Sequence, residues 1–196
     1  MNDARIDAEL TRRLLRDRKP LNRQEWKPRL RAHQRFLRSC PYRGRWQVLV
    51  ASGLPLAVWS GPKVDEGTQL HLTMENLTEL DLSFAEIPLA ALVPVLAEGV
   101  CFRGADLSDS ILTDSLLDGA DFSIANLEST DFSRASLRGA NFRRAVLHYA
   151  DFQDCDLTGA DFTGALMEDV SFPGACLDGA IGLPPSKRPS NEKPET

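Results

Sequence analysis

Between Val100 and Leu177 the large apolar residues fall at every fifth position. They run Phe102, Leu107, Leu112, Leu117, Phe122, Leu127, Phe132, Leu137, Phe142, Leu147, Phe152, Leu157, Phe162, Met167, Phe172 and Leu177. A compact residue stands two before each of them, most often alanine, as in Ala120, Ala140 and Ala160. A helix turns about 100° per residue and a strand alternates every two, so neither buries a step of five. A residue and the one two before it do share a face of a strand, and the chain must then turn before the next small residue. The pattern therefore predicts a very short strand plus a turn, repeated. Stacked circuits of such units bury the large residues in a column and pair backbone groups from circuit to circuit.

The circuit length follows from which residue types recur. At a period of twenty, one wall holds Phe102, Phe122, Phe142 and Phe162, and the opposite wall Leu112, Phe132, Phe152 and Phe172. Gly99, Gly119, Gly139, Gly159 and Gly179 also recur at twenty, two residues past the centre of a unit. The third position of a type II turn has positive φ and favours glycine, so one corner column is expected to demand it. A circuit of fifteen would instead pair Gly99 with Asp114 and Ser129. Four units per circuit remain, giving four circuits and a column roughly 19 Å tall at strand spacing.

Upstream, Leu72, Leu77, Leu82, Ile87 and Leu92 keep the register more faintly. Ala85 to Gly99 fits a further circuit or a short helix, and Pro88 and Pro94 tilt the reading to the circuit. Residues 4–18 and 27–39 read as two basic helices. The second carries a stripe of Trp26, Leu30, His33, Phe36 and Leu37, with Pro28 expected in its first turn. Arg45 to Gly61 reads as two short strands around Gly53-Leu54-Pro55. Residues 62–70 form a polar connector, and Leu183 to Thr196 has a linker composition. The expected division is a basic helical arm and hairpin cap over 1–69, a degenerate first coil or cap over 70–99, the coil proper over 100–181 and a disordered tail over 182–196. A stacked coil has open ends that template pairing with other chains, which is the bland reason for residues 1–69 to serve as a cap.

The segments "GADFS", "IANLE", "RASLR", "GANFR" and "YADFQ" resemble the pentapeptide repeat family, whose consensus is A(D/N)LXX. The resemblance runs from Val100 to Ile181. It implies a mainly β chain, a right-handed quadrilateral β-helix solenoid, and no catalysis for most members. Some bacterial members, the Qnr-type proteins, protect DNA gyrase by imitating duplex DNA. Others are scaffolds or secreted effectors.

Charge sharpens this picture. Residues 1–46 hold 14 Lys+Arg against 5 Asp+Glu, and residues 47–196 hold 9 against 23. A basic arm precedes an acidic body, and the arm suits a cap, an anionic lipid surface or a nucleic acid. Residues 98–181 carry 15 acids and 5 arginines. Duplex DNA carries about one charge per 1.7 Å, or about 12 over the height of the column, so the count alone suits a mimic. Its distribution does not, because Arg134, Arg138, Arg143 and Arg144 interrupt the acidic surface at mid-column. No signal peptide or spanning segment is read, and the four cysteines lack metal spacing, which suits a cytoplasmic protein with free thiols.

The three histidines (His33, His71, His148) have no neighbours suggestive of a triad or metal site, so no enzyme activity, cofactor or metal is expected. The aspartates just before the central residues could form a calcium ladder or acid–base pairs. The simpler reading is that each bonds nearby backbone. Ile124, Arg143, Arg144, Val146, His148, Tyr149 and Leu166 cluster near one edge of the coil and mix aromatic, cationic and aliphatic groups, the composition of interface anchors. They are the candidate partner-binding residues. Ile111 and Leu116, also outward, are expected to lie beneath the chain's own N-terminal segment. The function expected is a rigid binding or scaffold protein for a protein partner. The alternatives are gyrase or topoisomerase protection by duplex mimicry, and a secreted effector or its accessory.

Overall fold

The computed structural model describes residues 8–39, 46–51, 54–59 and 70–187. Two helices open the chain: α1 over Ala8–Arg16 and α2 over Arg23–Ser39. An antiparallel hairpin follows, β1 over Trp46–Ala51 paired with β2 over Leu54–Trp59 in the register Trp46↔Trp59 to Ala51↔Leu54. The two strands fall where expected around Gly53, which itself lies outside the described residues, as do Cys40, the connector 62–69 and the tail from residue 188. Among the described residues no helix is long and apolar enough to cross a membrane.

Within residues 71–181 every pairing is parallel and joins residues twenty apart. His71↔Ala91, Asn76↔Leu96, Asp81↔Cys101 and Glu86↔Asp106 begin the series, and Asp161↔Ile181 ends it. Ala85–Gly99 thus forms bridges, not a helix. The central apolar residues point inward as two ladders of phenylalanine. Phe102, Phe122, Phe142 and Phe162 stack with ring centroids 4.9, 5.2 and 5.0 Å apart, near the spacing of neighbouring strands. Phe132, Phe152 and Phe172 stack opposite, at 5.0 and 5.3 Å. The two ladders meet edge to face, as between Phe142 and Phe152 at 5.5 Å and 83°, so the interior is filled by rings from facing walls.

One unit shows how the repeat satisfies its backbone. Asp121 N–H donates back to Val100 O, whereas Phe122 and Ile124 N–H donate forward to Asn141 O and Arg143 O. Ala125 N–H closes the turn onto Phe122 O at 3.1 Å. That leaves the Ser123 N–H, which donates to Oδ1 of Asp121 at 2.9 Å. All five donors therefore have partners, as a closely stacked backbone requires. The same bond recurs from Asp81, Asp106, Asn126, Asp131, Asn141, Asp151, Asp156 and Asp161 to the residue two on. The backbone reading of these side chains is the one the geometry bears out. Where the acid is missing, at Ser136, Asp118 of the previous circuit takes its place and accepts the Arg138 N–H at 3.0 Å.

The glycine column needs correction. Every fifth residue from Gly99 to Gly179 has φ between 52° and 74°, including Asp109, Ile124, Ser129, Arg134, Arg144 and Tyr149. Positive φ belongs to every corner and does not single out one column. A Cβ at Gly99, Gly119, Gly139 or Gly159 would meet nothing within 4 Å, and nothing in the structure explains why that column is all glycine.

The helices pack on the first circuits. Leu15 of α1 is fully buried against Leu96 and Leu116, and Leu21 and Trp26 join the main core. Pro20 bridges to Asn76, the Leu21 N–H donates to Asn76 O at 2.7 Å, and Asn76 Nδ2 donates to Arg18 O. Arg16 pairs with Glu98 and Arg29 with Glu75. Leu116 therefore lies under α1 as expected, while Ile111 is buried with Ala91 and Val93. Helix α2 begins four residues earlier than expected. Asn22 Oδ1 accepts the N–H groups of Gln24 and Glu25, and Glu25 returns a carboxylate to the Asn22 N–H. This reciprocal cap sets the start and leaves Pro28 in the second turn, not the first. At the far end, Leu183 is buried against the core and Pro185–Lys187 form a single 3-10 turn, at the start of the segment whose composition suggests a linker.

Candidate functional site

The partner-binding residues inferred from sequence lie on adjoining columns along one edge. Ile124 and Arg144 are third-position turn residues of a single corner, twenty apart, with Arg143 just before Arg144. Val146 and Leu166 are bridged to each other on the next face. His148 and Tyr149 form the turn that follows. Ile124, Tyr149 and Leu166 are 42%, 54% and 54% exposed, whereas Val146 and His148 are half-buried. The structure brings Ile124, Arg143 and Arg144 into one cleft of about 300 Å³, lined also by Arg103, Asp121, Ser123 and Asn141. The rest of the candidate set lies outside its lining.

Two further residues were legible only by column arithmetic. Phe84 lies forty residues before Ile124 on the same corner column and is 65% exposed. Arg103 lies forty before Arg143. Counting back from each by twenties would have found both, though the faint register upstream of Val100 hid Phe84.

The electrostatics of this edge are uneven. Arg143 Nη1 donates to Asp161 Oδ2 at 2.8 Å, and Arg138 Nη1 to Asp156 Oδ2 at 2.9 Å. Burial alone would raise the Asp161 and Asp156 carboxyls. Bonds from Thr163 and Thr158 and from their arginines outweigh it and hold both below the usual range. Arg103 and Arg144 have no acidic partner among the described residues. Asp121 Oδ1 is occupied by the Ser123 N–H and by Asn141 Nδ2, each at 2.9 Å. His148 Nδ1 accepts the Glu168 N–H at 3.2 Å, so that nitrogen is not free to donate to the nearby Glu168 carboxylate.

Three further ionisable groups have structural partners. His33 is fully buried. Its Nδ1 accepts the Leu70 N–H at 2.9 Å and its Nε2 stands 2.7 Å from Pro88 O, which fixes the neutral ring protonated at Nε2. Burial lowers its pKa to about 4 against the opposing Pro88 bond. His71 shares a 2.6 Å bond with the Thr73 hydroxyl, and burial lowers its pKa. Burial pushes the Cys155 thiol up to about 12, and the thiol donates to Phe132 O. Among the described residues no group of three or more His, Cys, Asp or Glu side chains is placed to hold a metal ion.

The family model for pentapeptide repeats matches in eight copies, over residues 101–139, 125–164 and 145–181. No curated protein matches the chain. Among solved structures, the pentapeptide repeat protein Rfr23 from the cyanobacterium Cyanothece 51142 is 22% identical, over 58% of this chain and 84% of its own, with a TM-score of 0.46. HetL, a pentapeptide repeat protein involved in heterocyst differentiation regulation in Nostoc sp. strain PCC 7120, is 32% identical, over 58% of this chain and 54% of its own, with a TM-score of 0.43. QnrB1, a plasmid-mediated fluoroquinolone resistance protein, is 21% identical, over 59% of this chain and 68% of its own, with a TM-score of 0.36. With its five-residue units bonded at twenty-residue intervals and matched by the family model, residues 101–181 are a run of pentapeptide repeats.

Proposed function

We propose that this is a non-enzymatic binding protein that holds a rigid surface against a protein partner. In this reading residues 100–181 form a right-handed quadrilateral β-helix, residues 70–99 begin it, and residues 1–69 cap its N-terminal end. The observation that carries the function is the exposure of Ile124, Tyr149 and Leu166 beside Arg143 and Arg144. These side chains stand on a backbone bonded from circuit to circuit, so little of the surface needs ordering on binding. The repeated aspartates support a structural role, since they bond the turns of their own units.

The experiment is capture of partners from the source cell by the full chain and by its Arg144→Ala, Tyr149→Ala double variant. Loss of capture at an unchanged melting temperature supports the reading, since surface changes cost under about 0.5 kcal/mol. Full capture by the variant, or a large loss of stability, overturns it.

Duplex mimicry toward a gyrase or topoisomerase ranks second. The acid count of the body favours it. The pairing of Asp114, Asp156 and Asp161 with Arg134, Arg138 and Arg143 counts against it, because it neutralises acids at mid-column. Salt-sensitive inhibition of purified gyrase in a supercoiling assay would reverse the order.

A further inference from the structure

The corner that carries Ile124 has an unusual make-up. Phe84, Gly104, Ile124, Arg144 and Gly164 follow one another at twenty-residue intervals. The ring of Phe84 lies over Gly104, where an added Cβ would sit 2.5 Å from it, and Arg144 crosses Gly164 at 3.5 Å from such a Cβ. Ile124 stands between them with φ 53°. A β-branched residue is among the hardest to hold in the left-handed region, and glycine occupies the same corner one circuit to either side of the Ile124–Arg144 pair. Ile124 is exposed and outside the core, so folding gains little from the strain. The stacked circuits impose this φ at every corner, so what marks Ile124 is a branched apolar side chain left in solvent.

The charges beside it are also unspent. Arg103 and Arg144 line the same cleft as Ile124 with no acidic partner among the described residues, while Arg143 is held by Asp161. Two guanidinium groups are each suited to bidentate carboxylate binding. Arg103 and Arg144 lie two circuits apart, about 10 Å at strand spacing, a gap that two glutamate side chains three residues apart on one face of a turn can span.

We propose that this cleft takes an acidic–apolar segment of a partner protein. Two carboxylates three residues apart bind Arg103 and Arg144, and the apolar side chains between them lie on Phe84 and Ile124. The inference rests on the reading of this face as a protein-binding surface and specifies the partner's chemistry. Charge decides against a long polyanion. A duplex carries about one charge per 1.7 Å, and it would run past the cleft onto Asp106, Asp109, Glu128 and Asp169. A short segment with two carboxylates meets the arginines and stops.

The test is a titration of the full chain, followed by two-dimensional amide NMR at low salt. The probe is the capped peptide acetyl-Glu-Phe-Leu-Glu-amide. Acetyl-Lys-Phe-Leu-Lys-amide, acetyl-Glu-Ser-Ser-Glu-amide and a short DNA duplex serve as comparisons. Saturable shifts confined to amides around Arg103, Ile124 and Arg144 are expected at millimolar peptide. Affinity should fall about tenfold or more in Arg103→Gln, Arg144→Gln, whose guanidinium groups pair with no acid among the described residues. Ile124→Gly should also weaken binding while leaving the melting temperature unchanged or raised, which a packing role would not do. Absence of saturable shifts, shifts on another face, equal affinity for the duplex, or an unchanged dissociation constant in the arginine variant each overturns the proposal. If the peptide fails while the Arg144→Ala, Tyr149→Ala variant still loses the native partner, the binding surface stands and only the partner chemistry falls.

Discussion

Arg134 grips Asp114, one circuit earlier, through two parallel bonds: Nε to Oδ1 at 2.8 Å and Nη2 to Oδ2 at 2.7 Å. The Asp114 side chain is only 5% exposed, and burial raises its pKa even against the arginine's opposing pull. Arg134→Ala should cost about 2 kcal/mol, because a buried acceptor loses a charged partner. Adding Asp114→Asn should recover most of that. A carboxyl raised by burial is better tolerated when protonated, so the Arg134→Ala deficit should shrink as pH falls into the carboxylate range. Denaturant melts of the four members of the cycle at two pH values check both statements, and a deficit independent of pH would remove the buried-charge explanation.

Phe142 is fully buried, stacked between Phe122 and Phe162 and touched edge-on by Phe132 and Phe152. Phe142→Ala should cost about 3–5 kcal/mol, the range for an aromatic cavity that rigid neighbours cannot fill. Chemical denaturation measures it directly, and a cost below about 1 kcal/mol would mean that the ladders collapse into the space.

These rings were readable in the sequence because burial there depends on a residue's size and spacing alone. The aspartate bonds were readable for a similar reason, since both partners lie within three residues. What escaped was set by backbone conformation or by distant neighbours. Glycine at five corners suggested a special column, yet aspartate, serine, arginine, tyrosine and even isoleucine hold the same φ when stacked circuits impose it. Pro28 suggested a helix start, but the Asn22–Glu25 cap outweighed it. Arg103 joins the candidate cleft, and Phe84 the corner column beside it, only through residues forty positions away, a relationship visible once the period of twenty is counted back.

His33 predicts a pH dependence. In the unfolded chain it takes a proton near its usual 6.5, whereas the folded chain resists until about 4. Its contribution is therefore complete above about pH 6.5 and is lost as pH falls toward about 4, by up to roughly 3 kcal/mol. Melts across this window should show stability falling with acid, and His33→Gln should flatten that part of the curve. An unchanged slope in the variant would assign the dependence to other groups.

The cysteines should differ in reactivity. Cys176 is exposed and Cys155 buried, with its thiol pushed up to about 12. Thiolate is the reactive form, so alkylation of the native protein near pH 8, mapped by mass spectrometry, should mark Cys176 and spare Cys155 until denaturant is added. Equal labelling of the two in the native state would contradict the packing around Cys155.

A chain beginning at residue 70 tests the cap. It would uncover Leu96 and Leu116 and free the Asn76 carbonyl and amide that Leu21 and Arg18 engage. Aggregation, read by light scattering, is the expected result. If this chain is soluble, monomeric and as stable as the full one, residues 1–69 are not a cap.

The uniform twenty-residue pairing also bears on how the chain folds. Every bridge of the ladder closes the same short span, about a tenth of the chain length, a value more typical of helical bundles than of β proteins. No strand waits for a distant partner. A turn of coil formed anywhere can template the next on either side, so folding should spread as a front at the speed of largely helical domains, and unfolding should begin by peeling from an end.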